Sequence, residues 1–265
     1  MEVFLRLVLG HLIGDFTLQT NYIAAWKRRN LWGMAVHCGI HPILYTVLLW
    51  NYMGQVWMRI GDVSFTGWTC VLLIFIAHFV EDEWRVWSVL KKGAPDNTFF
   101  YLWDQVIHYA VLFAISPVVD GGATSKFGFI HYPPLEGVVM GAQAAGLGAW
   151  QRFLTVTRPE PWVLAGSLLV IVTHFTTVSI YFIEKDVFGK DFPAADEKYI
   201  SMAERMVVTG CFLLPGIWWA GLIAVWFGWV VLSKIRDRYD FSWTSIVVGN
   251  LTAVACGLLL RGIFY

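Results

Sequence analysis

Residues 207–232 read VVTGCFLLPGIWWAGLIAVWFGWVVL, a run that contains no charged side chain. A helix that crosses a bilayer needs about 20 apolar residues, so this run is too long for one ordinary helix. Pro215 and Gly216 lie in its middle, where proline lacks a backbone donor and glycine permits a tight turn. We therefore predict two short helices joined by a turn. One long kinked helix, which would give seven spans in total, is the alternative.

The remainder of the chain has the same apolar character. Hydrophobic residues make up 57% of the 265 positions and charged residues 14%, whereas a soluble domain has about 25% charged residues. This composition excludes a disordered chain, a coiled coil and an ordinary soluble enzyme. It predicts an all-α, polytopic transmembrane helix bundle in the lipid bilayer. The 19 basic and 19 acidic residues balance, which argues against nucleic acid as a partner.

Eight apolar segments can be placed along the chain. Their bounds are roughly 2–20, 31–52, 66–90, 98–119, 160–183, 199–214, 217–236 and 243–263. With eight spans, four connections on one side hold twelve of the nineteen basic residues, and the other side holds five. The positive-inside rule makes the basic side cytoplasmic and places both termini outside. We expect a protein of the bacterial inner membrane.

The segments group into two halves of four spans. Residues 1–119 form the first half and residues 159–265 the second. Residues 120–158 contain Gly121-Gly122 and Pro133-Pro134 and do not resemble a span, so we predict an external loop with a short interfacial helix. The cysteines all lie in apolar runs without a CxxC spacing, so we predict buried thiols at Cys38, Cys70, Cys211 and Cys256.

The first four segments carry an unusual number of ionisable residues, each of which costs about 2.5 to 3.5 kcal/mol to insert. Each segment has two such groups four residues apart, a spacing that places both on one face of a helix. The pairs are His11 and Asp15, His37 and His41, His78 and Asp82, and Asp104 and His108. The predicted topology places all four pairs in the cytoplasmic half of the membrane.

Imidazole and carboxylate ligands together suit Zn, Mn or Fe(II), and eight ligands could hold two ions. We therefore predict a divalent metal centre whose ligands come from these four pairs. Glu81 or Glu83 is the candidate general base. Further polar groups in or beside the spans are candidate substrate-binding residues: Gln19, Gln105, Glu204 and Arg205. Two alternatives remain open, a purely structural His–Asp hydrogen-bond network and ligation of haem or chlorophyll.

Several of these motifs occur together in a known family. The elements HLIGDFTLQ (residues 11–19), HFVED (78–82), DQVIH (104–108) and AERMVV (203–208) follow one another in order. In this the chain resembles a bacterial membrane family known as domain of unknown function 3307. The family is distantly similar to membrane-bound proteins regarded as metal-dependent hydrolases. This resemblance implies a metal site and a hydrolytic reaction.

These observations lead to one leading function and two alternatives. The leading function is a membrane-embedded, metal-dependent hydrolase that acts at the cytoplasmic side on a phosphoester or lipid-like substrate. The first alternative is a transporter of metal ions or protons, in which the same pairs form a binding station. The second is a non-catalytic subunit of a larger membrane complex that holds pigment or haem. A homo-oligomer or partner subunits are compatible with each function.

Overall fold

The computed structural model of the protein describes residues 2–117, 129–133, 135, 159–191, 195–232 and 242–265. These residues are mostly helical. In chain order the helices are α1 (Glu2–Leu12), α2 (Asn21–Lys27), α3 (Leu31–Leu49), α4 (Gly67–Lys92), α5 (Thr98–Ile115), α6 (Pro159–Val170), α7 (Thr176–Phe188), α8 (Ala195–Cys211), α9 (Trp218–Leu232) and α10 (Trp243–Phe264). Two π-helical turns continue α1 and join α6 to α7, at Ile13–Thr17 and Ile171–Phe175.

Four stretches of helix in the described part of the chain are long and apolar enough to cross a membrane. They are Leu31–Tyr52, Thr98–Ile115, Glu160–Phe188 and Trp243–Phe264. Many of their apolar side chains are exposed, as Ile43, Val47 and Leu251 show. Because the exposure of so much apolar surface to water is unfavourable, these side chains fit a lipid environment.

The predicted break in the run 207–232 is confirmed. Helix α8 ends at Cys211 and α9 begins at Trp218, and between them Gly216 adopts a φ of +63° that L side chains rarely adopt. Arg261 of α10 donates hydrogen bonds to the carbonyl oxygens of Phe212 and Leu214, both at 2.8 Å. These bonds satisfy carbonyl groups of the turn that follows α8.

A small antiparallel sheet departs from the all-α prediction. Its strands are β1 (Val56–Ile60), β2 (Val63–Thr66) and β3 (Ile130–His131), in the order β2-β1-β3. Strand β1 pairs with both neighbours, for instance Ile60 with Val63 and with Ile130. The turn between β1 and β2 contains Gly61, with a φ of +56°. Strand β3 belongs to the predicted external loop, and the rest of that loop, with its interfacial helix, lies almost wholly outside the described residues.

The chain divides into two compact units, residues 1–95 with 102–164, and residues 96–101 with 165–265. The first unit has an apolar core built from helices α1, α3, α4 and α5 and from the sheet. Its most buried members include Val3, Leu7, Leu49, Trp57, Ile74 and Leu112. The core of the second unit contains Val172, Val208, Ala253 and Cys256. The cysteines are free thiols, and Cys38, Cys70 and Cys256 are buried as predicted, whereas Cys211 is only half-buried.

Candidate metal centre

Four helices of the first unit direct their ionisable side chains into one buried cluster. The four pairs predicted from the spacing of histidine and carboxylate all contribute to it, and each of these side chains is at most 7% exposed. The imidazole rings pack directly on one another. The ring centroids of His41 and His78 are 4.1 Å apart, those of His78 and His108 are 4.3 Å apart, and those of His11 and His108 are 5.0 Å apart.

Asp15 lies at the centre of this cluster. Its Oδ1 atom is 3.1 Å from Nε2 of His41, 3.4 Å from Nε2 of His37 and 3.6 Å from Nε2 of His78. Its Oδ2 atom is 3.5 Å from Nε2 of His11. One carboxylate therefore faces four imidazole nitrogens from three helices.

The backbone at Asp15 is not a regular α-helix. Asp15 lies within the π-helical turn Ile13–Thr17, and such turns are frequent at functional sites because they displace a side chain from the regular helical position. Gly14 precedes it, and a Cβ atom at Gly14 would lie 2.5 Å from Nε2 of His41. The absence of a side chain at Gly14 thus lets the imidazole of His41 approach Asp15.

The donor atoms form three groups, each of which could hold a metal ion. We name them the central group (His11, Asp15, His41, His78), the lysine-side group (His37, Cys38, His78, Asp82) and the arginine-side group (Glu81, Asp104, His108). Within each group the donor atoms lie within 4.8 Å of one another. Cys38, which the sequence suggested was only a buried thiol, therefore lies among candidate ligands.

Several donor atoms of the cluster are buried without a hydrogen-bond partner among the described residues. They include Oδ1 of Asp104 and the Nε2 atoms of His78 and His108. A buried polar atom that lacks a partner is costly, and a bound cation would satisfy these atoms together. The residues present therefore fit a metal ion.

The orientation of His108 fits the same interpretation. Its Nδ1 atom donates to the backbone carbonyl of Asp104 over 2.8 Å, which leaves the lone pair of Nε2 directed into the cluster. Metal-bound histidines are usually oriented in this way, with the second ring nitrogen donating to a carbonyl or carboxylate.

The candidate substrate-binding residues of the first unit differ in position. Gln105 bridges the cluster, since its amide nitrogen donates to Oδ2 of Asp15 at 3.3 Å and to Oδ2 of Asp104 at 3.2 Å. Gln19 is half-buried and follows the π-helical turn. The predicted roles of both residues in substrate binding stay predictions.

Arg205 and Glu204 belong to the second unit. The guanidinium of Arg205 donates to the carbonyl of Thr173 and to the hydroxyl of Thr177, beside the second π-helical turn. These contacts are sufficient to explain a buried arginine at this position. The role of Glu204 and Arg205 in substrate binding stays a prediction.

Two basic residues enter the cluster that the spacing of histidine and carboxylate did not indicate. Nζ of Lys27 lies 2.9 Å from Oδ2 of Asp82 and 3.1 Å from Nε2 of His37. Nη1 of Arg85 lies 3.3 Å from Oδ2 of Asp104. In the sequence, Lys27 and Arg85 are two of the twelve basic residues of the predicted cytoplasmic connections. Their contacts with the cluster were not predicted, because residues 55 or 19 positions apart leave no local pattern.

A small cavity adjoins the cluster. Four ionisable side chains line its polar side and apolar side chains close the other, the full lining being His11, Tyr45, Ile74, His78, Glu81, His108, Val111 and Leu112. Its size suits about one water molecule. Oε1 of Glu81 and the hydroxyl of Tyr45 are buried without a hydrogen-bond partner among the described residues, so both are available to a molecule in the cavity. Of the two candidate bases, Glu81 lines this cavity and Glu83 does not.

The fold and the cluster together define a helical protein with helices suited to a membrane and a buried centre that could hold a metal ion. Residues 3–130 match the model of a family described as "Protein of unknown function (DUF3307)". The predicted resemblance to this family is confirmed over these residues, which include the whole cluster, whereas AERMVV lies beyond them. The similarity to metal-dependent hydrolases stays a prediction. No match was found among curated proteins or among solved structures.

Proposed function

We propose that the protein is a membrane-embedded, metal-dependent hydrolase that acts on a phosphoester or lipid-like substrate. The observation that carries this proposal is the position of Asp15, whose carboxylate faces Nε2 atoms of His11, His37, His41 and His78 within 3.6 Å. Imidazole and carboxylate ligands of this kind suit Zn, Mn or Fe(II).

The proposed topology has eight spans in a bacterial inner membrane, with the four basic connections in the cytoplasm. The split of twelve basic residues against five supports it. In this topology the cluster lies in the cytoplasmic half of the membrane. A hydrolase with this arrangement would take its substrate from the cytoplasm or the inner leaflet.

In the proposed reaction, a divalent ion in the central group would polarise the scissile bond and make a bound water more acidic. The chain supplies the other roles. Glu81 lines the water-sized cavity beside His11 and His78, so its carboxylate can accept the proton of that water. The buried Tyr45 hydroxyl lines the same cavity and can form a hydrogen bond with that water.

A hydrolase is favoured over a transporter by the surroundings of the cluster. A transported ion needs polar groups on both sides of its binding station, so that it can enter from one side and leave on the other. Next to the cluster, the first unit instead has the apolar core of Leu7, Tyr45, Leu49, Ile74 and Leu112. In our proposal, this apolar packing closes one side of the site, so that the site opens to the cytoplasm alone.

The experiment combines metal analysis with an assay of hydrolysis. The full chain is purified in detergent, stripped with chelator, reloaded with Zn²⁺, Mn²⁺ or Fe²⁺, and assayed with bis(p-nitrophenyl) phosphate and with phosphatidic acid. We expect bound metal, and hydrolysis of one of these substrates that chelator abolishes. Glu81→Gln should retain the metal and lose about 100-fold or more in rate, since a general base contributes about 10²–10⁴-fold.

Glu83→Gln is the matched control, because Glu83 is on the same helix but does not line the cavity. It should keep the wild-type rate. Failure of the reloaded wild-type chain to retain any of the three ions would refute the metal centre. Metal binding without hydrolysis, combined with uptake of the ion into proteoliposomes, would instead establish the transporter.

A further inference from the structure

The three ligand groups of the cluster are not equivalent, because two of them already contain a fixed positive charge. Lys27 donates to Asp82 in the lysine-side group, and Arg85 donates to Asp104 in the arginine-side group. Among the described residues, no lysine or arginine contacts Asp15 or the histidines of the central group. The partners of Asp15 are imidazoles and the amide of Gln105.

Lys27 is held in its position by the backbone around it. Its side chain is only 12% exposed, and Lys27 is the last residue of α2. A Cβ atom at Gly33 of α3 would lie 2.5 Å from the carbonyl group of Trp26 and 2.7 Å from the backbone nitrogen of Lys27. The close packing of α2 on Gly33 therefore directs the ammonium group inward, unlike a lysine on a free surface.

The position of this ammonium group disfavours a metal ion in the lysine-side group. A zinc ion there would bind Nε2 of His37 and Oδ2 of Asp82 at about 2.0 to 2.2 Å. The ammonium group already lies 3.1 Å and 2.9 Å from the same two atoms. A metal ion and the ammonium group would thus be immediate neighbours of like charge, which the buried surroundings make strongly unfavourable.

The lysine-side group also shares one of its candidate ligands, His78, with the central group. The Nε2 atom of His78 lies 3.6 Å from Oδ1 of Asp15 and 3.8 Å from Oδ2 of Asp82, so the same atom faces two groups. One ring nitrogen has a single lone pair and cannot bind two ions at once. Once His78 binds an ion in the central group, the lysine-side group loses one of its ligands.

We propose that the centre binds a single divalent ion in the central group, and that Lys27 and Arg85 take the places of further cations. This inference rests on the proposed function. It specifies how many metal ions the centre binds and which side chains supply the remaining positive charge. In two-metal hydrolases the second ion stabilises the charge that develops on the substrate oxygens. Here the ammonium group of Lys27 has three N–H donors and two contacts, which leaves one donor for an anionic substrate oxygen.

The test counts the ions that the reconstituted protein retains. The full chain is stripped with chelator, loaded with excess Zn²⁺ or Co²⁺, passed through a desalting column and measured for metal and protein. The wild-type chain should retain one ion. Lys27→Met should retain two, because the carboxylate of Asp82 and the imidazole of His37 then lose their cation. Lys27→Arg keeps the charge and should retain one.

Lys91→Met is the matched control, since Lys91 is an exposed lysine of α4. It should retain one ion, as the wild-type chain does. If Lys27→Met fails to give a monodisperse protein, Lys27→Gln replaces it and should likewise retain two ions. Two ions in the wild-type chain, or one in both Lys27 variants, overturn this inference and leave the metal centre intact. No ion in any chain overturns the proposed function and this inference with it.

Discussion

At the level of single residues, Gly14 is a position that affects the cluster without itself being a candidate ligand. Its missing side chain makes room for the imidazole of His41, whose Nε2 would be 2.5 Å from an added Cβ. We expect Gly14→Ala to displace His41 from Asp15 and to weaken metal binding about 10- to 100-fold, as the loss of a supporting contact commonly does. Competition with a chromogenic chelator measures this affinity.

Gly39→Ala provides the comparison for that substitution. Gly39 is in α3 between His37 and His41, and an added Cβ there meets no atom within 4 Å. It should leave metal affinity unchanged. An equal loss of affinity in both variants would mean that helix α3 as a whole, and not the space at Gly14, controls the site.

Asp15→Asn separates a metal centre from a hydrogen-bond network. An amide has nearly the shape of a carboxylate but no charge, so it should bind the ion far less well. At a metal concentration about 100 times the dissociation constant, binding stabilises the folded state by about 2.7 kcal/mol. We expect the variant to lose this stabilisation in metal and to resemble the wild-type chain in chelator, as thermal unfolding can show. An equal loss of stability in both conditions would support the network.

At the level of elements, the packing of α2 on α3 depends on Gly33. The backbone of Trp26 and Lys27 occupies the space that a side chain at Gly33 would need. Gly33→Ala should force the two helices apart and destabilise the protein by about 1 to 3 kcal/mol, the usual effect of overpacking. The midpoint of thermal unfolding in detergent, compared with that of Gly39→Ala, checks this expectation. Equal midpoints for the two variants would show that the close packing of α2 on Gly33 does not contribute to stability.

The helical elements and the pairs they carry could be predicted from the sequence because both follow short-range rules. A spacing of four residues puts His78 and Asp82 on one helical face, and a Pro-Gly step interrupts an apolar run. The convergence of four helices could be inferred because isolated buried charges are too costly. These arguments use only neighbours in the chain and the energy of burial.

The parts that the sequence did not indicate depend on long-range contacts or on small changes of backbone geometry. No local pattern marks the π-helical turn at Asp15, and none links Lys27 to Asp82, 55 residues away. Strands β1 and β2 were missed because their nine residues are few and their paired strand β3 is distant in the chain. The histidines and carboxylates that meet in the cluster were therefore predictable, whereas the contacts of Lys27 and the proximity of Cys38 were not.

At the level of the whole molecule, the eight-span topology requires that helices with many charged residues also cross the membrane. Helix α4 is the clearest case, since it is 26 residues long but holds Glu81, Asp82, Glu83 and Arg85 in its second half. It is absent from the four stretches that are apolar enough to cross a membrane by composition. In the proposed topology it nevertheless spans, because its charged residues are directed into the cluster or lie at the cytoplasmic end.

Two single cysteines at opposite ends of α4 test this directly. Asp62 is exposed in the turn between β1 and β2, and Lys91 is exposed in the last turn of the helix. In intact spheroplasts a membrane-impermeant maleimide should label Asp62→Cys, and Lys91→Cys should react only after the membrane is opened. The wild-type chain sets the background, since three of its four thiols are buried. Labelling of both positions from the same side would mean that α4 does not cross, and the number and direction of all later spans would change with it.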